Sequence, residues 1–300
     1  VNPLLATVRG LQRHLRYLSG YLNFDDTPVT RLTNFTSCQR PVLLLYGFFA
    51  ARRTVDVLER RLRRDGYCVF SVNLGGVKTS VATRGIDDLA ETVRVKVERL
   101  YARNPAMGPL TVIGHSQGGL IGTYYVKKLG GWRRTRALIT LGAPHYGTPA
   151  AYLGLPLGIF ARSVLQMTPM SPFIRRLQRG AWPPGVRFSS LYSRTDGVAP
   201  YPSPLIETRG LPYLRNVEVP ARGHREFLYR KRVYDVILAE VRAGEAMSPL
   251  RIRPLSLVPA CAASTEPEAA GRAPRAIARA QRRTSARSPP PAPAPDRLEW

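Results

Sequence analysis

Residues Gly114-His115-Ser116-Gln117-Gly118 form a G-x-S-x-G run, and Gly119 follows. Such a run carries chemistry only when a strand precedes it and a helix follows it. Here the apolar segment 110–113 (LTVI) precedes and a helical pattern over about 118–129 follows. The serine then stands on a sharp strand-to-helix turn, with its hydroxyl at the positive end of the helix. Glycines at 114 and 118 remove side chains that would clash in such a turn. The plainer reading is a glycine-rich turn with an incidental serine, and the flanking elements argue against it.

A serine nucleophile needs a base, and the base needs an orienting group. Four histidines exist: His14, His115, His145 and His224. His14 belongs to an N-terminal extension. His115 lies within the turn and is expected to point elsewhere. His145 follows the strand 136–141. His224 sits in a short loop after the strand 214–219 and before the last helix, so it is the candidate base. Asp196, in SRTDGVAP after the strand 187–192, is the candidate orienting acid, with Glu207 as the fallback. An Asp-Gly pair is also common in turns for purely conformational reasons. The oxyanion of an acyl-transfer intermediate requires two backbone donors. Gln117 supplies one, and Phe48, in Tyr46-Gly47-Phe48-Phe49 after the strand 42–46, supplies the other.

The elements that must hold these residues follow from hydrophobic patterning. Strands are expected at 42–46, 67–72, 110–113, 136–141, 187–192 and 214–219. Helices are expected at about 52–65, 87–103, 118–129 and 225–242. In 87–103, Leu89, Val93, Val97 and Leu100 recur at helical spacing. Alternating strands and helices predict an α/β fold with a mostly parallel, doubly wound sheet of about six strands. Sites on such sheets lie beyond the carboxyl ends of the strands.

LLLYGFF, VIGHSQGG, TLGAPHYGTP, SLYSRTDGVAP and the late Gly-His together resemble the bacterial triacylglycerol lipase and esterase families over about residues 40–243. The resemblance implies an α/β-hydrolase fold, carboxylic ester hydrolysis, no required cofactor, and Ser116, Asp196 and His224 as a triad. These lipases usually carry His before the oxyanion glycine, whereas Tyr46 stands here. Some related lipases bind calcium, but no acidic cluster supports a metal site in this sequence. Two alternatives share the scaffold: an acyltransferase using the same acyl-enzyme, and a non-catalytic binding module.

The remaining sequence frames this region. Residues 1–35 form an extension in which Leu4, Leu5, Val8, Leu11, Leu15 and Leu18 recur at helical spacing. It reads either as an interfacial helix on anionic lipid or as a helix docked on its own domain. The segment of about 149–183 is an apolar, Met-containing insertion, expected as a helical cap over the site or as a permanently packed wall. From 244 to 300 the chain holds ten of the 27 prolines and one aromatic, and is expected to be disordered.

The formal charge is +25, almost all from arginine. It favours contact with polyanions such as an anionic membrane, while no zinc-finger, RNA-recognition or basic-zipper pattern points to nucleic acid. The expected substrate is a small-molecule or lipid ester. The three cysteines, 38, 68 and 261, make no metal motif. Cys68 is expected to pack as a small hydrophobe, and a disulfide framework is not expected. No apolar run is long enough to span a bilayer. The expected location is the cytoplasm or its membrane surface, with secretion left open.

Overall fold

Strands whose residues are apolar on both faces must be covered on both faces. Pro41–Leu45 (β1) and Leu110–His115 (β3) are buried at every position. Cys68–Ser71 (β2), Thr135–Leu141 (β4) and Arg187–Tyr192 (β5) are nearly so. Leu214–Glu218 (β6) is only partly covered and lies at the sheet's edge. The computed structural model describes residues 35–48, 52–72, 74, 84–153 and 162–247. The expected N-terminal helix, residues 154–161 of the insertion and the tail from 248 lie outside the described residues.

The six strands form one parallel sheet in the order β2-β1-β3-β4-β5-β6. Parallel neighbours require crossover connections, and apart from the irregular stretch 193–213 between β5 and β6, helices supply them. They are Asp56–Arg64 (α1), Ile86–Arg103 (α2) and Gln117–Lys128 (α3). After β6 comes the pair Glu226–Tyr229 (α7) and Lys231–Ala246 (α8). Successive strand residues face opposite sides, which shows how the layers are stacked. A Cβ on Gly122 of α3 would meet Leu138, whereas one on Gly244 of α8 would meet Ala137. Helices α3 and α8 therefore cover opposite faces of β4.

Helix α2 buries Ile86, Leu89, Ala90, Val93, Val97, Leu100 and Tyr101 along one stripe. Each fully buried leucine or valine contributes roughly 1.5–3 kcal/mol. The Asp88 carboxylate accepts from the Gly85 amide at 2.9 Å, which closes the first turn of the helix. The strand order reverses at β1: β2 lies on one side and β3 on the other. Ligand crevices of such sheets open at that reversal, beyond the carboxyl ends.

Part of the insertion forms Ala150–Leu153 (α4), Arg162–Gln166 (α5) and Pro172–Gln178 (α6). Val164, Met167, Phe173, Ile174 and Leu177 are buried in the core, which fits a packed wall. Polar contacts add to this. Asp87, in the first turn of α2, accepts from Arg162 at 3.1 Å, Arg176 at 3.2 Å and Gln166 at 2.8 Å.

Three local expectations are corrected. Cys38 and Cys68 form a disulfide rather than packing as separate thiols. Residue 38 precedes β1 and residue 68 opens β2, and the pairing of these adjacent strands brings their first residues together, with Pro41 opposite Cys68. The helix expected over 225–242 is two helices, interrupted at Arg230, whose extended backbone breaks the ladder. The second helix runs on to Ala246, past the expected composition boundary at 243.

Candidate active site

Ser116 lies between the end of β3 and the start of α3, beside the strand-order reversal. Its backbone has φ 54° and ψ −125°, a left-handed conformation that costs a non-glycine residue of order 1–3 kcal/mol. Two neighbours hold it there. The Ser116 amide donates to the Leu141 carbonyl at 2.9 Å, and its carbonyl accepts from Gly119 at 2.9 Å. Helix α3 starts hard against the loop after β1. A Cβ on Gly118 would lie 2.3 Å from the Leu45 carbonyl oxygen and 2.7 Å from that of Tyr46. Only glycine permits this approach, and it sets the Gly47–Phe48 loop alongside the first turn of α3.

Gln117 is the first residue of α3 and is buried. Amides of a helix's first turn have no carbonyl partner within the helix, so the Gln117 N–H suits an oxyanion donor. Phe48 is half-buried and lines the same cavity as Ser116. Tyr46 takes over the task of fixing this loop: its buried hydroxyl accepts from the Leu74 amide at 3.0 Å. The loop after β1 is thus tied to the chain after β2.

Asp196 and His224 meet although 28 positions separate them. Their contact is 2.8 Å between Oδ2 and Nδ1. Because the carboxylate accepts, Nδ1 carries the proton and Nε2 is left for a reacting group. The second carboxylate oxygen of Asp196 accepts from the amides of Val198 at 2.9 Å and Ala199 at 3.1 Å. Burial alone would raise the pKa of this carboxyl. The His224 hydrogen bond and charge and the two amides outweigh it, so Asp196 is held below the ordinary carboxylate value. Glu207, the fallback acid, is exposed and pairs with Arg209 at 2.9 Å. It does not meet His224.

Sequence reasoning missed two residues of this site. Gly142 follows β4 with φ 54°, and a Cβ there would lie 2.8 Å from Asp196 Oδ2 and 3.3 Å from His224 Nδ1. The signal available was its place in LGAP, directly after a strand. His115 does not point away. Its Nε2 donates to the His224 carbonyl at 2.9 Å, and the two rings lie 4.6 Å apart between centroids. Its buried Nδ1 has no hydrogen-bond partner among the described residues. Burial, then the neighbouring His224, push His115 down to about 3, so it stays neutral. His145 is also fully buried and pushed down to about 3 by burial, then by the Lys127 cation. It sits 3.0 Å from the Thr140 hydroxyl, which itself donates to Ser190. His145 takes no part in the Ser116 site.

Ser116 and His224 line one cavity of about 240 Å³. Gly47, Phe48, Pro144, Thr148, Ala151, Val164, Met167 and Val198 supply much of the rest of its wall. Among the described residues no group of three or more His, Cys, Asp or Glu could hold a metal ion.

The sequence model for the α/β-hydrolase fold matches residues 40–157. The chain carries the α/β-hydrolase fold. Solved structures agree. Aspergillus fumigatus lipase B is 18% identical with a TM-score of 0.56, over 74% of this chain and 56% of that one. This chain thus spans just over half the length of that enzyme. Mature Bacillus licheniformis lipase BlEst2 is 16% identical with a TM-score of 0.52, over 70% of this chain and 95% of that one. Paleococcus ferrophilus monoacylglycerol lipase is 15% identical with a TM-score of 0.52, over 69% and 95%. No curated protein sequence matches the chain. At these identities the likeness establishes the α/β-hydrolase fold. What this hydrolase scaffold does must be argued from its site.

Proposed function

We propose that the protein is a serine carboxylic ester hydrolase of the lipase/esterase type. One observation carries this reading: a strained Ser116 and an Asp196-bound His224 open into the same cavity. In the mechanism, Ser116 Oγ attacks the ester carbonyl carbon while His224 Nε2 takes its proton. The N–H groups of Phe48 and Gln117 hold the resulting oxyanion. The tetrahedral intermediate collapses, and His224 returns the proton to the departing alcohol. Water then attacks the acyl-enzyme, its proton passing to His224 and on to Ser116 as the acid leaves. Asp196 keeps the imidazole in the required tautomer throughout.

The substrate reading is an acyl ester. Apolar groups of the wall, among them Phe48, Val164, Met167 and Val198, suit an acyl chain better than a polar acid. Tyr146, Tyr152, Leu165 and Met170 are exposed in the same segments that supply the wall. This arrangement supports lipid esters as substrates. The names of the lipases and the monoacylglycerol lipase above point the same way.

No described helix is long and apolar enough to cross a membrane. The Cys38–Cys68 disulfide supports folding in an oxidising compartment rather than in the cytoplasm.

The test is active-site labelling. A fluorophosphonate probe should add to one residue, identified by peptide mass as Ser116, and abolish hydrolysis of p-nitrophenyl butyrate. Labelling elsewhere, or hydrolysis that survives complete labelling, would overturn the proposal. Rates across esters of two to sixteen carbons then set the acyl-chain preference.

A further inference from the structure

We propose that a second cavity, beside Lys127, is a binding site for a small carboxylate carried on an apolar ring. The proposal is independent of the reaction at Ser116, because the two cavities share no lining residue. This one measures about 160 Å³ and lies between α3, the end of α6, β5 and the chain that enters β6. Trp182, Phe188, Leu177, Ile206 and Leu211 give it an apolar wall. The Trp182 and Phe188 rings stack at 4.3 Å between centroids, and Trp182 Nε1 donates to the Val186 carbonyl at 2.9 Å. The wall is thus fixed before a ligand arrives.

Lys127, in the last turn of α3, brings the charge. Its Nζ donates to the carbonyls of Leu177 at 3.0 Å and Gln178 at 2.9 Å. That caps α6, and a cap alone is an ordinary use of lysine. Two further observations point to a ligand. Both acceptors are neutral and engage two of the three N–H groups of the ammonium, and the cavity's own carboxylate, Glu207, is exposed and paired with Arg209 at 2.9 Å. The ammonium is also half-buried: burial, then the Lys128 and Arg209 cations, push it down to about 8, with Glu207 opposing them. The same cation reaches His145, which lines the cavity too, so the charge sits at the cavity. An anion placed there would offset the cost of holding a half-buried cation without a counter-ion. The remaining N–H suits a carboxylate. A phosphate would leave further oxygens unpaired against Trp182 and Leu177.

The experiment is calorimetric titration of the wild-type protein with benzoate, benzamide and acetate, near the Lys127 value of about 8, in two buffers of different ionisation enthalpy. Benzoate should bind about tenfold more tightly than benzamide, which lacks the charge, and than acetate, which lacks the ring. Its binding should also draw a proton from the buffer, because the carboxylate favours the ammonium form of Lys127. Lys127→Met should bring benzoate down to the level of benzamide and abolish the uptake. Lys127→Arg should keep the benzoate affinity to within about threefold yet take up no proton, since arginine is already charged. That variant also guards against misfolding of the methionine one. His145, held down to about 3, stays neutral at this pH. Lys128, Glu207 and Arg209 are the same in all three proteins, so the comparison removes their influence. Benzoate binding that survives Lys127→Met, which is also what binding in the Ser116 cavity would give, would overturn the proposal. So would equal affinities for the three ligands, or wild-type binding without proton uptake.

Discussion

The two edges of the central sheet are built to opposite ends. At the amino-terminal edge the contacts are cross-links. Cys38 and Cys68 are covalently joined, and Glu245 binds Arg40 through both oxygens at 2.8 and 3.1 Å. Arg136 donates to the carbonyls of Pro109 and Gln39. At the carboxyl-terminal edge, Ser116 sits in a strained conformation, Gly142 adopts a left-handed one, and Nδ1 of buried His115 lacks a partner among the described residues. One edge spends its polar groups on holding the strands together. The other gathers its backbone strain around the cavity that Ser116 and His224 line. Under the proposed function, stability and reactivity fall to different ends of the same strands, and each should be open to perturbation without the other.

The largest effect should come from the reactive edge. Ser116→Ala should lower ester hydrolysis on the order of 10⁴-fold, and His224→Ala by about as much. The double variant should lose little more, because the two act as a unit, while urea unfolding midpoints stay close to wild type. Additive losses would mean that the residues work separately. Next, Gly142→Ala places a methyl group against Asp196 and His224. It should cost roughly 100-fold in kcat with a smaller change in KM. Full activity would show that the Asp196–His224 contact does not govern turnover.

The opposite edge should respond in stability alone. Replacing Cys38 and Cys68 together by serine opens a link with a sequence separation of 30. The expected loss is roughly 2–4 kcal/mol of folding stability, read from urea denaturation. The kcat of the remaining folded protein should match wild type. A fall in kcat would show that the two edges are coupled.

The most gradual effect is a pH dependence. His115 and His145 are both held down to about 3, chiefly by burial, whereas a histidine in the unfolded chain titrates near about 6.5. Between those values the unfolded chain binds protons that the native state refuses. Stability is therefore complete above about pH 6.5 and falls as the pH drops towards about 3, by at most about 1.4 kcal/mol per pH unit for each ring. Denaturation midpoints at several pH values check this. His145→Gln should flatten the slope by about one proton and spare hydrolysis, whereas His115→Gln should flatten it and also slow turnover. An unchanged slope in both variants would mean that the rings accept protons in the native state.

All six strands were readable from sequence, β1 to β4 as largely apolar runs and β5 and β6 as mixed segments bounded by turn residues. Their mostly parallel arrangement followed from the helical patterns that alternate with them. The loop positions of Ser116, Asp196 and His224 were readable for the same reason, since each follows a strand that ends at the same edge. What escaped depended on proximity rather than pattern. Cys68 looks like one more apolar residue until β1 and β2 are set side by side. The contact of His115 with the His224 carbonyl spans 109 positions, and no local periodicity encodes it. The break at Arg230 has no glycine or proline to announce it. Tyr46 shows the converse: a departure from the lipase pattern becomes intelligible once its hydroxyl is seen to accept from Leu74.

The convergence of Arg162, Arg176 and Gln166 on Asp87 gives the insertion a lopsided architecture of failure. Three tethers share one peg. Any donor can be lost by mutation and two remain, so the insertion tolerates drift on its own side. The peg has less redundancy: a single nucleotide change at codon 87 would remove all three contacts at once, leaving Arg162 on Asp88 and Gln166 on the Ile86 amide. Sequence variation in this wall should therefore accumulate at the arginines before it touches the aspartate.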